Sequence, residues 1–155
     1  MSAEAGPPDY EEPVFGQRLL GRLADAVLML PVVAVVGFLV EGRGGAALAL
    51  AAVTAYEVGM VSATGRTVGK VLLGTRIVDA RTGAPPIPLQ AVLRWSVLAG
   101  GAFVALLVPA LDGIQAFWAL FVVLPVLRGP LHQGVHDRVA RTVVVADVIE
   151  EEIAI

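Results

Sequence analysis

The stretch LLGRLADAVLMLPVVAVVGFLV, residues 19–40, decides the fold of this chain. As a helix it would be about 33 Å long, enough to cross a hydrocarbon core of about 30 Å. The composition agrees, because 57% of the chain is hydrophobic and 16% is charged, whereas soluble domains are about 25% charged. The sequence therefore predicts an integral membrane protein built from α-helices.

Three further apolar segments predict three more membrane spans. Residues 46–63 form the second, and residues 88–111 the third, which begins at a proline suited to a first helical turn. Pro109 and the Asp112–Gly113 pair then mark a turn before residues 114–127. That last segment would be only about 21 Å long. We expect an all-α membrane protein with four transmembrane helices, the fourth short or re-entrant.

The distribution of Lys and Arg predicts the orientation. In the four-span arrangement ten of the eleven lie on one side and only Arg43 on the other. Basic residues mark the cytoplasmic side, so we expect a cell-membrane protein with both termini cytoplasmic and basic residues at anionic headgroups. The acidic, proline-rich residues 1–14 and the acidic residues 148–155 are expected to be tails around a membrane domain at 15–147. The first span, preceded by no basic leader, is expected to be retained.

The segment between the second and third spans favours local β-structure. RIVDA at 76–80 is rich in β-branched residues and is followed by a Thr-Gly turn and a proline-rich return. We expect a small β-hairpin-like loop or a surface strand on the cytoplasmic face. A second such run, RTVVVADV at 141–148, could pair with it on the cytoplasmic face.

The second span also carries a stripe of small residues. They recur every fourth position: Ala47, Ala51, Ala55, Gly59 and Ala63. Such a stripe lets another helix approach closely in lipid. We expect a homo-oligomer or a partner membrane protein, because four short helices enclose little volume.

Charged residues in the first two spans need a reason, because a charge at the bilayer centre costs on the order of 3 kcal/mol. Arg18, Arg22 and Asp25 lie within about 60° of one another on a helix, so Arg22 and Asp25 could pair. Glu57 has no basic residue within two turns and needs a partner from another element, unless it is protonated. Either the arginines anchor the helix end and neutralise Asp25, or the acids form an intramembrane ion site.

Several site classes are disfavoured. The chain has no cysteine, which removes disulfides and thiolate metal sites. GRTVGK at 65–70 has one residue too few for a phosphate-binding loop, and Val71 follows it. His132 and His136 have a metal-ligand spacing, but the glycines and proline around them favour a hydrogen-bonded turn. No grouping suggests a hydrolase or a nucleic-acid surface. We expect no enzyme activity, cofactor, metal or nucleic-acid partner.

Three motifs in order resemble the RDD family of small polytopic membrane proteins, named for one arginine and two aspartates. They are RLLGRLAD at 18–25, GRTVGKVLLGTRIVD at 65–79 with TGAPPIPLQAVLR after it, and HDRVARTVVV at 136–145. Glu57, shortly before the second motif, also resembles the family. Two positions depart from its pattern: Arg141, where the family usually has glycine, and Gly21, where it usually has alanine.

The resemblance implies a charged cluster of Arg18, Asp25 and Asp137, supported by Arg22, Glu57 and His136. It also implies a loop motif made of Gly65, Thr67, Gly69, Lys70, Gly74, Arg76, Asp79 and Arg94. The family is suspected of transport, so we expect a small cation- or proton-coupled transporter that uses this cluster. The alternative is a scaffold or accessory subunit in which the cluster is a structural lock.

Overall fold

A computed structural model describes residues 15–111, 113–127 and 133–147. The helices are α1 (Phe15–Leu39), α2 (Gly42–Thr64), α3 (Val68–Leu72), α4 (Pro88–Leu98), α5 (Gly100–Leu107), α6 (Ile114–Val123) and α7 (Val135–Ala140). Two strands, β1 (Thr75–Asp79) and β2 (Thr142–Ala146), form a small sheet, and 3-10 turns cover Pro109–Leu111 and Leu124–Leu127.

The helices α1 and α2 are long and apolar enough to cross a membrane. In each, only 11% of the most apolar stretch is buried inside the protein, and large side chains such as Val27 and Phe38 point outward. An apolar surface of this extent suits lipid rather than water. The helices predicted at 19–40 and 46–63 are thus confirmed, and each begins four residues earlier than predicted.

The third predicted span is a bent pair of helices, α4 and α5, with an angle of 62° between them. The side chain of Trp118 from α6 lies against Gly100 and Gly101, where an added Cβ would come within 2.7 Å of it. Its N–H donates to the carbonyl of Val97 at 2.8 Å. A side chain inserted beside a glycine pair is a known cause of such a kink.

The fourth predicted span is α-helical only over α6, whose ten residues cover about 15 Å. Pro125 lies in the 3-10 turn that follows, and proline cannot donate the hydrogen bond that would continue an α-helix. The described residues thus contain two helices of spanning length, or three if the bent pair counts as one span. Four spans remain a prediction.

The sheet joins distant parts of the chain. Strands β1 and β2 are antiparallel, with Ile77 opposite Val144 and Asp79 opposite Thr142. The pairing with the 141–148 run was therefore the right alternative, and the hairpin within the loop was wrong. The return at 84–87 forms no strand, because Pro85 and Pro86 have no N–H to donate to a ladder.

The sheet packs against one end of the helices. Ile77 and Val144 form a buried apolar cluster with Val61 of α2 and Ala91 of α4. This contact holds the sheet where α2 ends and α4 begins, beside the start of α1. The charged motifs predicted from the sequence all converge on this end of the molecule.

Arg141 occupies the turn between α7 and β2 in the left-handed conformation, with φ 54° and ψ 43°. That conformation costs residues with a Cβ roughly 1–2 kcal/mol, whereas glycine adopts it freely. Arg141 is the position at which the chain departs from the glycine of the motif. The chain therefore keeps the left-handed turn conformation, and the Arg141 backbone is strained because the glycine is missing.

We expect Arg141→Gly to stabilise the protein by about 0.5–1 kcal/mol, because glycine relieves this strain and its greater unfolded-state freedom offsets only part of the gain. Arg141→Ala is the matched control, since it removes the guanidinium and keeps the Cβ. Thermal unfolding in detergent micelles compares the two variants. Equal stability of both would contradict the role assigned to the backbone.

Candidate functional site

Asp25 is buried within α1, with 3% of its surface exposed. Its Oδ1 accepts hydrogen bonds from the Tyr56 hydroxyl at 2.6 Å and the Gly69 backbone N–H at 2.7 Å. Its Oδ2 accepts one from the Thr67 hydroxyl at 2.6 Å and lies 3.9 Å from Lys70 Nζ. These four polar groups are all donors, so they stabilise the ionised carboxylate.

The segment between α2 and β1 is shaped to bring these donors to Asp25. Gly65 ends α2 in the left-handed conformation, φ 70°, and its N–H donates to the carbonyl of Val61. Thr67 then precedes α3, but its side chain makes no capping hydrogen bond to that helix. Asp25 accepts the free N–H of Gly69 instead. Asp25 of α1 therefore supplies the acceptor that an N-cap side chain usually offers to the first turn of a helix, here α3.

Gly69 and Gly21 allow α1 and α3 to approach closely. A Cβ on Gly69 would collide with the backbone carbonyl of Gly21 and lie 2.8 Å from Cγ of Asp25. A Cβ on Gly21 would lie 3.3 Å from the carbonyl oxygen of Gly69. The first contact requires the backbone to move, and the second requires a shift of a few tenths of an ångström. The two glycines are thus unequal in what they tolerate.

We expect Gly69→Ala to unfold this end of the protein or destabilise it by about 3 kcal/mol, because a buried carboxylate would lose its donors. Gly21→Ala, the same change on the facing helix, should cost less than about 1 kcal/mol, since the contact it makes is only slightly tight. Thermal unfolding and size-exclusion profiles in detergent measure both variants. Equal tolerance of the two would be evidence against the close approach.

Glu57 is paired from another helix, as its position in the sequence requires. It forms an ion pair with Arg22 of α1, whose guanidinium also lies 5.7 Å from the ring centre of Trp95. The expected pair of Arg22 with Asp25 was wrong, because the α3 segment occupies Asp25. A cavity of about 180 Å³ lies at this place, lined by Arg22, Asp25, Ala26, Met29, Val53, Glu57 and Trp95.

Arg94 and Asp137 form a second buried ion pair, which joins α4 to α7. Arg94 Nε lies 2.8 Å from Asp137 Oδ1, and the Thr142 hydroxyl donates to the same oxygen at 3.3 Å. Burial alone would raise the pKa of Asp137, but the charge and hydrogen bond of Arg94, together with His136 and Arg18, outweigh it and hold the pKa at about 2. The pair is therefore charged at neutral pH.

Arg18 connects the start of α1 to the sheet. Its Nη2 donates to the carbonyl of Val144 at 2.8 Å, and its charge also lowers the pKa of Asp137. Arg18 and Asp137 line one cavity, whereas Asp25 lies in the neighbouring set of contacts. Lys70 links the two sets, since it lines the cavity of Arg18 and approaches Asp25. The predicted three-residue cluster is thus two adjacent groups.

The RDD family model matches residues 13–141 of the chain. The chain belongs to the RDD family. A comparison with curated protein sequences finds no match. The family gives the class, a polytopic membrane protein. That Arg18, Asp25 and Asp137 are its arginine and two aspartates stays a prediction from the sequence motifs.

The rest of the RDD loop motif shapes the loop itself. Gly74 adopts φ 61°, and its carbonyl accepts the N–H of Asp147 at 2.7 Å. Arg76 lies 3.8 Å from the Asp147 carboxylate. Asp79 accepts the backbone N–H groups after it and the side-chain amide of Gln90, at 2.6 Å. These contacts are hydrogen bonds and ion pairs within the protein.

Sequence reasoning missed Tyr56 and Thr142 as members of the site. Both hydroxyls donate to a carboxylate of the predicted charged cluster. A tyrosine inside an apolar span is a signal that could have found the first, because a buried phenol needs a hydrogen-bond partner. Thr142 gives no such signal, since its partner depends on how α7 turns into β2.

His136 is buried beside Asp137, with Nε2 3.3 Å from a carboxylate oxygen. Burial, opposed in part by Asp137, lowers the pKa of His136 to about 4, so the ring is neutral at pH 7. The other histidine of the predicted pair, His132, lies outside the described residues. Within the described ranges, no group of three or more His, Asp or Glu side chains could hold a metal ion.

We expect His136 to make the protein less stable as the pH falls from 6.5 to 4. Over that range the unfolded chain binds a proton at its ordinary pKa of 6.5 and the folded chain does not, a loss of about 1.4 kcal/mol per pH unit at most. His136→Gln should flatten this slope, while Asp137, Arg94, Arg22 and Lys70 contribute equally in both proteins. Melting temperatures at pH 7, 6 and 5 test it. Parallel curves for the two proteins would refute it.

Proposed function

We propose that this RDD protein is a non-transporting membrane scaffold or accessory subunit, and that its charged network is a structural lock. The observation that carries the proposal is the setting of Asp25. Hard cations such as Ca²⁺ and Mg²⁺ take oxygen ligands, but here the carboxylate oxygens already face two hydroxyl donors, a backbone N–H and an ammonium group. A cation at this carboxylate would have to displace these donors and approach Lys70.

The lock has three joints between parts of the chain that are far apart in sequence. Asp25 holds α3 to α1, Arg22 and Glu57 hold α1 to α2, and Arg94 with Asp137 holds α4 to α7. Buried ion pairs contribute little net stability, but losing one partner typically costs about 3–5 kcal/mol. Such pairs therefore favour one arrangement of helices over others, which is what a scaffold requires.

An exposed stripe on α2 supports the docking of another helix. Ala47, Ala51, Ala55 and Gly59 line an open groove together with Phe103 and Leu106 of α5, and the stripe is exposed along its length. Small residues in lipid permit close helix contact. We propose that a second copy or a partner membrane protein occupies this groove, with the lock at the cytoplasmic end in the cell membrane, as the basic residues favour.

We expect Asp25→Asn to lower the free energy of unfolding by about 2–3 kcal/mol, because an amide offers fewer acceptor sites to these donors and no charge to Lys70. Asp147→Asn is the matched control: Asp147 pairs with Arg66 at 3.0 Å in a partly exposed position, so its loss should cost under about 1 kcal/mol. Thermal unfolding in detergent measures both. Equal stability of Asp25→Asn and wild type would refute the lock.

A second candidate function is proton- or cation-coupled transport at Glu57. The cavity of about 180 Å³ beside Glu57 and Arg22 lies between the long helices, and an acid in such a place is a common feature of transport sites. Flux of Na⁺, K⁺ and protons into proteoliposomes, measured for wild type and Glu57→Gln, decides between the two. Flux in wild type that Glu57→Gln abolishes, with folding unchanged, would replace the scaffold with a transporter. Absence of flux under every gradient would favour the lock.

A further inference from the structure

A second cavity, of about 150 Å³, lies between the start of α1, the end of α4, α7 and the sheet. Its lining contains both charged and apolar side chains. Four are basic: Arg18, Arg22, Lys70 and Arg94. Among the described residues that line it, one is a carboxylate, Asp137. A volume of this size holds a small polar group, since water occupies about 30 Å³ per molecule in the liquid.

The basic residues that line this cavity include two that are buried. Lys70 is 7% exposed and Arg94 is 6% exposed. Burial, followed by the charges of Arg94 and Arg22, lowers the pKa of Lys70 to about 8, although Asp25 and Glu57 oppose the shift. The basic neighbours thus outweigh the acidic ones at the Lys70 ammonium. An anion in the cavity would stabilise the protonated lysine.

The cavity also has apolar lining residues, several of which are partly exposed at the outer surface. Phe15 and Leu19 of α1, Leu98 of α4 and Val123 of α6 line it. Phe15 and Leu19, on the long helix α1, are 41% and 48% exposed, and Val123 at the end of α6 is 41% exposed. A ligand held here would therefore contact both positively charged and hydrocarbon side chains.

We propose that this cavity binds a phosphate-type anion, and that the anion is the headgroup of an anionic membrane phospholipid. The basic side chains can pair with a phosphate, for which arginine is especially suited because of its planar donor fork. The apolar wall fits an acyl chain, which a free phosphate does not have. Lys70 and Arg94 select an anionic headgroup over a neutral or zwitterionic one. Leu98 limits the size of the group that fits the cavity. The inference does not rest on the scaffold function.

The experiment measures ligand binding to the delipidated full chain in a neutral detergent by native mass spectrometry. The probes are phosphatidylglycerol, phosphatidylcholine as the zwitterionic control, and inorganic phosphate. Lys70→Gln removes a buried charge from the cavity. Arg81→Gln removes a charge from the exposed turn after β1 and is the matched control. Leu98→Trp fills the cavity with no change of charge, and Lys70→Arg restores the charge.

We expect wild type to prefer phosphatidylglycerol to phosphatidylcholine, and Lys70→Gln and Leu98→Trp to weaken phosphatidylglycerol binding at least tenfold. A tenfold change corresponds to about 1.4 kcal/mol. Arg81→Gln should bind as wild type does, and Lys70→Arg should recover part of the binding that Lys70→Gln loses. Inorganic phosphate that binds with the same dependence on Lys70, without phosphatidylglycerol, would support the anion site and overturn its lipid source. Equal binding of both lipids by all variants would overturn the site. If Lys70→Gln fails to fold, Leu98→Trp alone decides.

Discussion

The ionised carboxylate of Asp25, buried in the first membrane helix, is the constraint on which the rest of the structure depends. It must meet donors that its own helix cannot supply, because helix backbone N–H groups are already used in the helix. Tyr56 comes from α2, and Thr67 and Gly69 come from the turn after it. For these groups to reach Asp25, α2 must end at Gly65 and α3 must lie against Gly21. The path of the chain from α2 to β1 follows from that requirement.

Competition among neighbours explains which charges pair. Arg22 and Asp25 share a face of α1, yet Asp25 is enclosed by uncharged donors and Lys70, so Arg22 extends to Glu57. Asp137 then pairs with Arg94, which helps to keep the pKa of the fully buried Asp137 low. Each carboxylate of the network is balanced by a basic group from a different element. Each ion pair can form only when its two elements lie side by side. The pairs therefore favour one packing of the elements over others.

The sequence predicts what local pattern determines. Hydropathy predicts α1 and α2, the position of Glu57 predicts a partner from elsewhere, and the ordered motifs identify the family. The bend between α4 and α5 depends on Trp118, which is distant in sequence. The local pattern of the third segment therefore predicts one continuous helix. The strand RIVDA is visible, but its partner is chosen by packing of Ile77 and Val144 against Val61 and Ala91. The positions of Arg22 and Asp25 on one helix face indicate that the two side chains could pair. They do not indicate that donors from α2 and the turn after it would bind the Asp25 carboxylate instead.

Lys70 is where the two sets of charges meet, and its surroundings connect the lock to the membrane. It lies 3.9 Å from Asp25 on one side and lines the cavity of Arg94 and Arg18 on the other. Burial and the neighbouring arginines lower the pKa of this ammonium to about 8, and Asp25 is already shared among three other donors, so a further negative charge nearby would stabilise the protonated form. An anionic headgroup in the cavity would supply that charge from the bilayer itself. The same contact would hold the start of α1 at the level of the headgroups, so that lipid composition and the packing of the helices become coupled through one lysine.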